Sequence, residues 1–590
     1  MQAPFLERLP MKSLTRREFV RGFSLFGTAL YLGARDAAAA AFRPAKEKTP
    51  NIIVILTDDS GYTDLGCYGG EIHTPNIDSL ARNGMRFTNF YSAGRCSPTR
   101  ASLLTGRDSA HAGFAAGTLG GWQWEMKRPS YRARLAYNLP TIPELLGQRG
   151  YHTMMAGKWH LGGSLMKDSP ARRQLWKKLH PGWELTPQEM EADFNALPMQ
   201  RGFDRYFGLI EGENHFFFTP EEQHNYLDGN KPARLNYDQT YSMHCHYEDE
   251  NRYPYTPNHG KTAKAFYATD GVTDRALDML KDTSGSDKPF FMYLAYRAPH
   301  MPLQAPQELV DKYMPLYEDM ETVEKKRVEG LKREKLLPEN TDYRKYFHTR
   351  KFPGEQEKKE YQLRLALHAA MLEKVDQNVG RLTRLLKEQG QLDNTLILYF
   401  SDNGAAAHVG DMMNKPYYGC KALMWEGGTK THCIAHWPAR VKPGLINHTI
   451  CHVYDIMPTC LTLAGGSYPD EFHGQKTEPL DGRDISGVFD GKDLPPAEYM
   501  FFNDKGQQGC IYKGRWKLLI EPGWYVHTSK TEETVYELYD LENDPAETTD
   551  ISQKKPELAA RLTAECDKWQ KKCGIVDYSE ILDTRPNHTQ

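Results

Sequence analysis

The sequence predicts an α/β chain of two domains, a doubly wound layer of strands and helices followed by a smaller C-terminal α+β unit. Three observations carry this. Continuous apolar runs at 51–57, 289–296 and 395–400 are what strands covered on both faces require. Helical stretches such as 76–83, 140–149 and 361–389 alternate with them. Beyond residue 484 the texture changes to short strands that close on one helix. At 590 residues the chain is long enough for at least two domains with a large core. A net charge of −3 with mixed signs points to neither nucleic acid nor an anionic membrane surface as partner. The ten cysteines show no repeated spacing, so neither a disulfide framework nor a zinc site is indicated. Pairing of Cys451 with Cys460, or of Cys566 with Cys573, after export is left open.

Residues 1–41 read as a targeting segment rather than fold. Thr15-Arg16-Arg17-Glu18-Phe19-Val20-Arg21 is a twin-arginine pattern, a mildly apolar run covers 22–33, and Ala37 to Ala41 offer small-residue cleavage sites. The run is too short to span roughly 30 Å of hydrocarbon, so no stable membrane anchor is expected. The expectation is a bacterial signal read by the Tat translocon, giving a periplasmic or secreted protein. Tat carries folded proteins, so metal loading and cysteine oxidation would precede export. Met11 is an alternative start.

After the targeting segment the chain divides into an N-terminal α/β domain over 48–465 and a small α+β domain over 466–580. The run 51–57 leads into Asp58-Asp59-Ser60-Gly61, and 395–400 leads into Ser401-Asp402-Asn403-Gly404. Open α/β sheets bind ligands at such strand ends. One Asp-Asp pair alone would read as an Asx turn. The two ends together supply three carboxylates and an amide oxygen, a hard set suited to Ca²⁺ or Mg²⁺ rather than zinc.

Between these ends, a helix over 76–83 and a strand over 86–91 lead to Cys96-Ser97-Pro98-Thr99-Arg100-Ala101-Ser102-Leu103-Leu104-Thr105-Gly106-Arg107. Ser97 is expected as N-cap, Pro98 at the first helical position and Gly106 as the left-handed stop. Cys96 would then sit just before a helix N-terminus, where an anion is favoured. Position alone would read it as a buried thiol. A helix over 140–149 and a strand over 151–156 end in Gly157-Lys158-Trp159-His160-Leu161-Gly162, and an extended segment would point Lys158 and His160 to one side. The run 289–296 is followed by Arg297-Ala298-Pro299-His300-Met301-Pro302.

Two polar insertions, 166–199 and 315–358, interrupt the pattern. The second, dense in Lys and Glu, reads as a solvated helical excursion. Such segments commonly rim an active-site face and can select substrate. The helix over 361–389 carries apolar residues at helical spacing, Leu365, Leu367, Met371, Leu372, Val375, Val379, Leu382 and Leu385. A Gly, Pro and polar stretch over 465–484 reads as a linker. Strands at 499–502, 509–512, 516–520 and 535–540 and a helix over 556–571 complete the chain.

The twelve residues from Cys96 resemble the signature of the formylglycine-dependent sulfatases of the alkaline phosphatase superfamily, Cys-x-Pro-x-Arg followed by Leu-Thr-Gly-Arg. Further segments resemble the same family: Gly157 to Gly162, Pro299-His300-Met301-Pro302, and Gly419-Cys420-Lys421 with Glu426-Gly427-Gly428. Thr429-Lys430-Thr431-His432 departs from the family's usual Arg-Val-Pro continuation, past Lys421. Gly202-Phe203-Asp204-Arg205-Tyr206-Phe207-Gly208 also matches. Some arylsulfatases place a substrate-contacting Ser just after it, where Asn214 or His215 stands here. Leu538-Tyr539-Asp540-Leu541 with Asp544-Pro545-Ala546-Glu547-Thr548 resembles the family's C-terminal domain. The implied fold is a large mixed, mostly parallel sheet sandwiched by helices, with an antiparallel sheet and packed helix at the C-terminus.

The resemblance also implies chemistry. A formylglycine-generating or anaerobic sulfatase-maturating enzyme would oxidise Cys96 to Cα-formylglycine. Asp58, Asp59, Asp402 and Asn403 would hold one divalent cation, usually calcium, with residue 96 completing the shell. The cation, Arg100, Lys158 and Lys421 would offset the charge of a sulfate ester. One hydroxyl of the hydrated aldehyde would attack sulfur, His300 or Lys421 would protonate the leaving alcohol, and His160 would take the second hydroxyl's proton to expel sulfate. The substrate would be a sulfated small molecule or saccharide, with aryl sulfate, glycosaminoglycan fragment and polysaccharide all open. Two rivals stand beside this: a phosphonate monoester or phosphodiester hydrolase of the same superfamily, and a non-catalytic binding protein on the same fold.

Overall fold

A computed structural model describes residues 49–115, 128–163, 195–210, 267–343, 351–503, 508–522 and 534–576, with short pieces of helix and strand between 188 and 252. Residues 1–41, which the sequence suggests are a targeting segment, most of the insertion at 166–199, and Asn214 and His215 lie outside the described residues. From Pro50 onward the chain is one compact unit.

Its centre is an eleven-stranded mixed sheet. In chain order the strands are β1 (Asn51–Thr57), β2 (Met85–Tyr91), β3 (His152–Lys158), β4 (Arg205–Leu209), β5 (His246–Glu248), β6 (Asn251–Arg252), β7 (Phe290–Ala295), β8 (Thr395–Ser401), β9 (Lys430–His436), β10 (Leu445–Asn447) and β11 (Cys451–His452). Across the sheet the order is β10-β2-β9-β8-β1-β7-β3-β4-β5-β6, with β11 also on β2. The five strands from β8 to β4 are all parallel, and β9 runs antiparallel to β8 and β2.

The uninterrupted apolar run of β1 follows from cover on both faces. Ile53 and Ile55 face one core, while Ile52, Val54 and Leu56 face the other. Helices α1 (Pro75–Arg82), α2 (Cys96–Thr105), α3 (Ile142–Gly147), α4 (Ala268–Asp282), α5 (Met320–Arg333) and α6 (Glu355–Glu388) supply the layers. The first core takes Leu365, Leu367, Met371, Leu372, Val375, Val379 and Leu382 of α6. The second takes Ala101, Leu103 and Leu104 of α2. Asp376 on α6 accepts the amide hydrogens of Asn76 and Ile77 at 2.9 and 2.8 Å, so α1 is capped from a distant helix.

Three expectations need correction. Helix α2 begins at Cys96 itself, with Arg95 as N-cap and no side-chain cap bond, so Ser97 is not the cap. Pro98 falls in the first turn, where its missing N–H forfeits no helical bond, and the first bond runs from Thr99 N to Arg95 O at 2.9 Å. Gly106 ends the helix at φ 67 as expected. Second, the Lys- and Glu-dense insertion is not a solvated excursion throughout. It contains α5, whose Arg327 is fully buried and paired with Asp64 and Glu71. Third, the polar stretch at 465–484 does not run free. It forms a small hairpin, Glu471–Phe472 with Gln475–Lys476, whose Phe472 joins the second core. Its Asp481 accepts the Asp108 amide hydrogen at 2.9 Å. Among the described cysteines, Cys451, Cys460, Cys566 and Cys573 are all free thiols.

The C-terminal part is a four-stranded antiparallel sheet, β12 (Glu498–Asn503), β13 (Gln508–Lys513), β14 (Trp516–Pro522) and β15 (Thr534–Asp540), in chain order. Helix α7 (Pro556–Cys573) covers one face through Leu562 and Cys566. The other face packs Tyr499, Tyr512, Leu519 and Tyr539 onto Tyr91, Met424, Trp425 and Tyr454. Lys517 of β14 is wholly buried there, 3.0 Å from Glu426 Oε1 and 2.6 Å from Glu547 Oε1. Tyr91, Tyr512 and Lys430 also bind Glu426. Burial alone would raise the Glu426 pKa, but Lys517 and Lys430 outweigh it and hold it at about 2.

An acid with a depressed folded pKa contributes stability above its ordinary value of 4.5, and that contribution is lost as pH falls towards the folded value. Lys517→Met takes one cation from Glu426 and breaks the ion pair of Glu547, and is expected to cost about 3–5 kcal/mol at neutral pH. Denaturant unfolding across a pH series checks it: the deficit should narrow as pH falls below 4.5.

Candidate active site

Strands β1 and β8 lie side by side with Thr57 opposite Ser401, so the acidic pairs that follow them emerge together. Asp59 N donates to Asp402 Oδ1 at 3.4 Å, and Asn403 Nδ2 donates to Asp59 Oδ1 at 2.8 Å. Cys96 arrives from the N-terminus of α2. One ligand atom each from Asp58, Cys96 and Asp402 lie within 4.8 Å of one another, as do atoms from Asp58, Asp59 and His300.

Arg100, one turn along α2, is fully buried behind the carboxylates. Its Nη2 donates to Asp58 Oδ2 at 3.2 Å and to Asp402 Oδ2 at 2.8 Å, and Nε donates to Asp402 Oδ2 at 3.2 Å. Its Nη1 donates to the Lys158 carbonyl at 2.8 Å and reaches Tyr293 Oη at 3.4 Å. The guanidinium is thus committed inside the protein. It clamps two carboxylates from the side of the core. Lys158 Nζ likewise donates to Asp58 Oδ2, at 2.5 Å.

Lys421 enters from the loop before the Glu426-Gly427-Gly428 turn. Its Nζ is 2.6 Å from Asp59 Oδ1 and 4.0 Å from Asp58 Oδ1. Its backbone N donates to Ala405 O at 3.0 Å, and that of Ala422 to Gly94 O at 2.9 Å, tying this loop to both the Asn403 and Cys96 segments. Gly404 is needed for close approach, since a Cβ there would meet Gly427 O at 1.8 Å. His300 donates from Nδ1 to Met301 O at 2.7 Å, which turns Nε2 towards Asp59 Oδ2 at 3.8 Å. His160 adopts φ 61, not the extended form that the Lys158–His160 spacing argument assumed. Asp59 (φ 72) and Ala422 (φ 78) are also left-handed. Three strained non-glycine residues in one site mark geometry imposed by the surroundings.

Electrostatics follow from burial and charge. Burial would raise the Asp58 carboxyl, but Lys158, His300 and Arg100 hold it well below the usual range. Asp402 is pushed up to about 7 by burial and by Asp58. Burial and the neighbouring Lys158 and Arg100 charges push His160 well below the ordinary imidazole value. Burial and Lys421 do the same to His300.

Ten of the residues singled out in the sequence therefore lie here, Asp58, Asp59, Cys96, Arg100, Lys158, His160, His300, Asp402, Asn403 and Lys421, while Asn214 and His215 fall outside the described residues. A hard divalent cation fits the donor set. Asp58 Oδ1 and Asn403 Oδ1 are buried oxygens with no hydrogen-bond donor, which polar atoms inside proteins rarely lack. Tyr293 was missed, because inside a continuous apolar strand it reads as core. Asp64, His368 and Arg327, which brace the Asp58–Gly61 turn, were missed because no local pattern links residues so far apart.

Residues 50–467 match the family model for Sulfatase, and residues 416–572 match that for N-sulphoglucosamine sulphohydrolase, C-terminal. The chain is 31% identical to an uncharacterized sulfatase of Schizosaccharomyces pombe, over 90% of this chain and 96% of that protein. It is 27% identical to human arylsulfatase A, over 87% and 84%. Among solved structures it is similar to the crystal structure of Ps i-CgsB in complex with k-i-k-neocarrahexaose, with a TM-score of 0.61, 26% identity, and 88% and 92% of the two chains covered. The chain belongs to the sulfatase family and is a sulfuric ester hydrolase of the alkaline phosphatase superfamily.

Proposed function

We propose that the substrate is a sulfated saccharide, and that its sulfate is taken at Cys96 after this residue is oxidised to Cα-formylglycine. The observation that carries the proposal is the convergence of Cys96 with Asp58 and Asp402 on one buried spot. The saccharide preference draws on the similar solved structure, which is a complex with k-i-k-neocarrahexaose. In this reading Asp58, Asp59, Asp402 and Asn403 hold calcium, with magnesium as the alternative. When bound, such a cation supplies positive charge against the sulfate and acidifies an oxygen at position 96.

The chain's own residues do the rest. Arg100 fixes Asp58 and Asp402 in place, and with Lys158 it keeps Asp58 ionised. His160 is held neutral, so it can accept the proton released at position 96 when sulfate departs. His300 and Lys421 flank Asp59, and one of them gives the leaving alcohol its proton. We assign residues 1–41 to Tat export into the periplasm or beyond, a formylglycine-generating or anaerobic maturating enzyme as upstream partner, and 466–580 to the small C-terminal domain. No described helix is long and apolar enough to cross a membrane.

Cys96→Ala is expected to abolish turnover with the fold intact. The peptide mass around residue 96 in active protein should show the thiol replaced by the aldehyde, whereas substantial multiple turnover by Cys96→Ala refutes the assignment. A panel of sulfated sugars, aryl sulfates and phosphonate monoesters then separates saccharide from aryl and sulfate from phosphonate preference.

Asp58→Ala should remove calcium binding, while Arg100→Met, acting from behind the ligands, should weaken it by about 10–100-fold. Isothermal titration of metal-free protein reads both.

The proton donor is identified by leaving group. Loss of the acid should slow a sugar sulfate by about 10²–10⁴-fold and a nitrophenyl sulfate far less, because phenolate leaves without a proton. His300→Ala and Lys421→Ala assayed on both esters show which residue carries it.

A further inference from the structure

We infer that Arg327, in the Lys- and Glu-dense insertion, is a positioning residue for the turn that carries Asp58 and Asp59. This rests on the reading that the turn holds a cation. Asp59 sits at φ 72, a conformation that strains a non-glycine residue and persists only where its surroundings impose it. The turn is closed by Asp64, whose Oδ2 accepts the Gly61 amide hydrogen at 2.7 Å and lies 3.5 Å from the Ser60 hydroxyl.

Asp64 is itself held from two sides. His368 Nε2 of α6 meets Oδ2 at 2.7 Å, and Arg327 Nη1 of α5 donates to Oδ1 at 2.9 Å. Arg327 also reaches Thr63 Oγ1 at 3.3 Å and Met413 O at 3.4 Å. Its Nε and Nη2 form a two-pronged pair with Glu71, both at 2.7 Å, and Tyr317 Oη donates to the same carboxylate at 2.6 Å. Every arginine nitrogen is thus satisfied, at zero exposure.

Helix α5 approaches this closely only because two glycines face each other. A Cβ on Gly330 would lie 2.4 Å from Gly69 O, and one on Gly69 would lie 2.5 Å from Leu331 N. A planar guanidinium fits the Asp64–Glu71 pair in a way an ammonium does not, because it binds one carboxylate with two parallel bonds while reaching the other. Neither Arg327 nor Glu71 touches the cation-holding oxygens. Their effect runs through Asp64 and the Gly61 amide, as outer partners orient metal ligands.

The test uses full-length protein freed of metal, with calcium chloride as the probe. Arg327→Lys and Glu71→Gln are measured beside wild type and Asp58→Ala, by calorimetric titration and by hydrogen exchange of the peptide covering 58–64. Arg327→Met is added if it folds. The expected result is calcium affinity weakened by about 10–100-fold in the Arg327 and Glu71 variants. Exchange at the Gly61 amide should rise, kcat should fall at limiting calcium and recover with excess calcium, and KM for nitrophenyl sulfate should not change. Lost affinity in Asp58→Ala with unchanged affinity and exchange in folded Arg327→Lys and Glu71→Gln overturns the inference alone. Unchanged affinity in Asp58→Ala overturns the cation site, and this inference with it.

Discussion

Arg100 and the two carboxylates it bridges are the constraint from which the site is built. Asp58 and Asp402 leave neighbouring parallel strands with both side chains fully buried. Two buried like charges would drive one carboxyl to bind a proton, and Asp402 already leans that way at about 7. A delocalised cation donating to both at once keeps them available as oxygen donors, and Lys158 adds a second charge on Asp58. Because Arg100 and Cys96 share one helix, the clamp also sets where the sulfur stands.

Much of this was legible in the sequence, and the reason is local. Strands that pack on both faces must be apolar throughout, so β1, β7 and β8 announce themselves, and the polar residues that end them stand out. The site residues fall at such ends or in short motifs, and all ten converge. What failed was also physical. The start of α2 was displaced by two residues, because a proline is tolerated anywhere in a first turn and does not mark which position it fills.

The bracing residues were not legible at all. Arg327 sits among lysines and glutamates, and nothing in that composition distinguishes one buried arginine from its solvated neighbours. Only the fold brings it to Asp64 and Glu71. Lys517 is similar: its strand is recognisable, but its partners Glu426 and Glu547 lie on segments far away in the chain. Lys430, which stands where the family pattern departs, serves the same cluster through Glu426 and lies over the Tyr417 ring at 4.6 Å.

The pairing of β1 with β8 joins residues such as Asn51 and Thr395 that are separated by most of the catalytic sheet's sequence. A growing polypeptide therefore holds Asp58 and Cys96 long before the strand that delivers Asp402 has been synthesised. Lys421 arrives later still, just before a turn whose Glu426 pairs with a lysine from the C-terminal sheet. A chain that stops before residue 421 therefore carries only part of the cluster, however well its first strands pair.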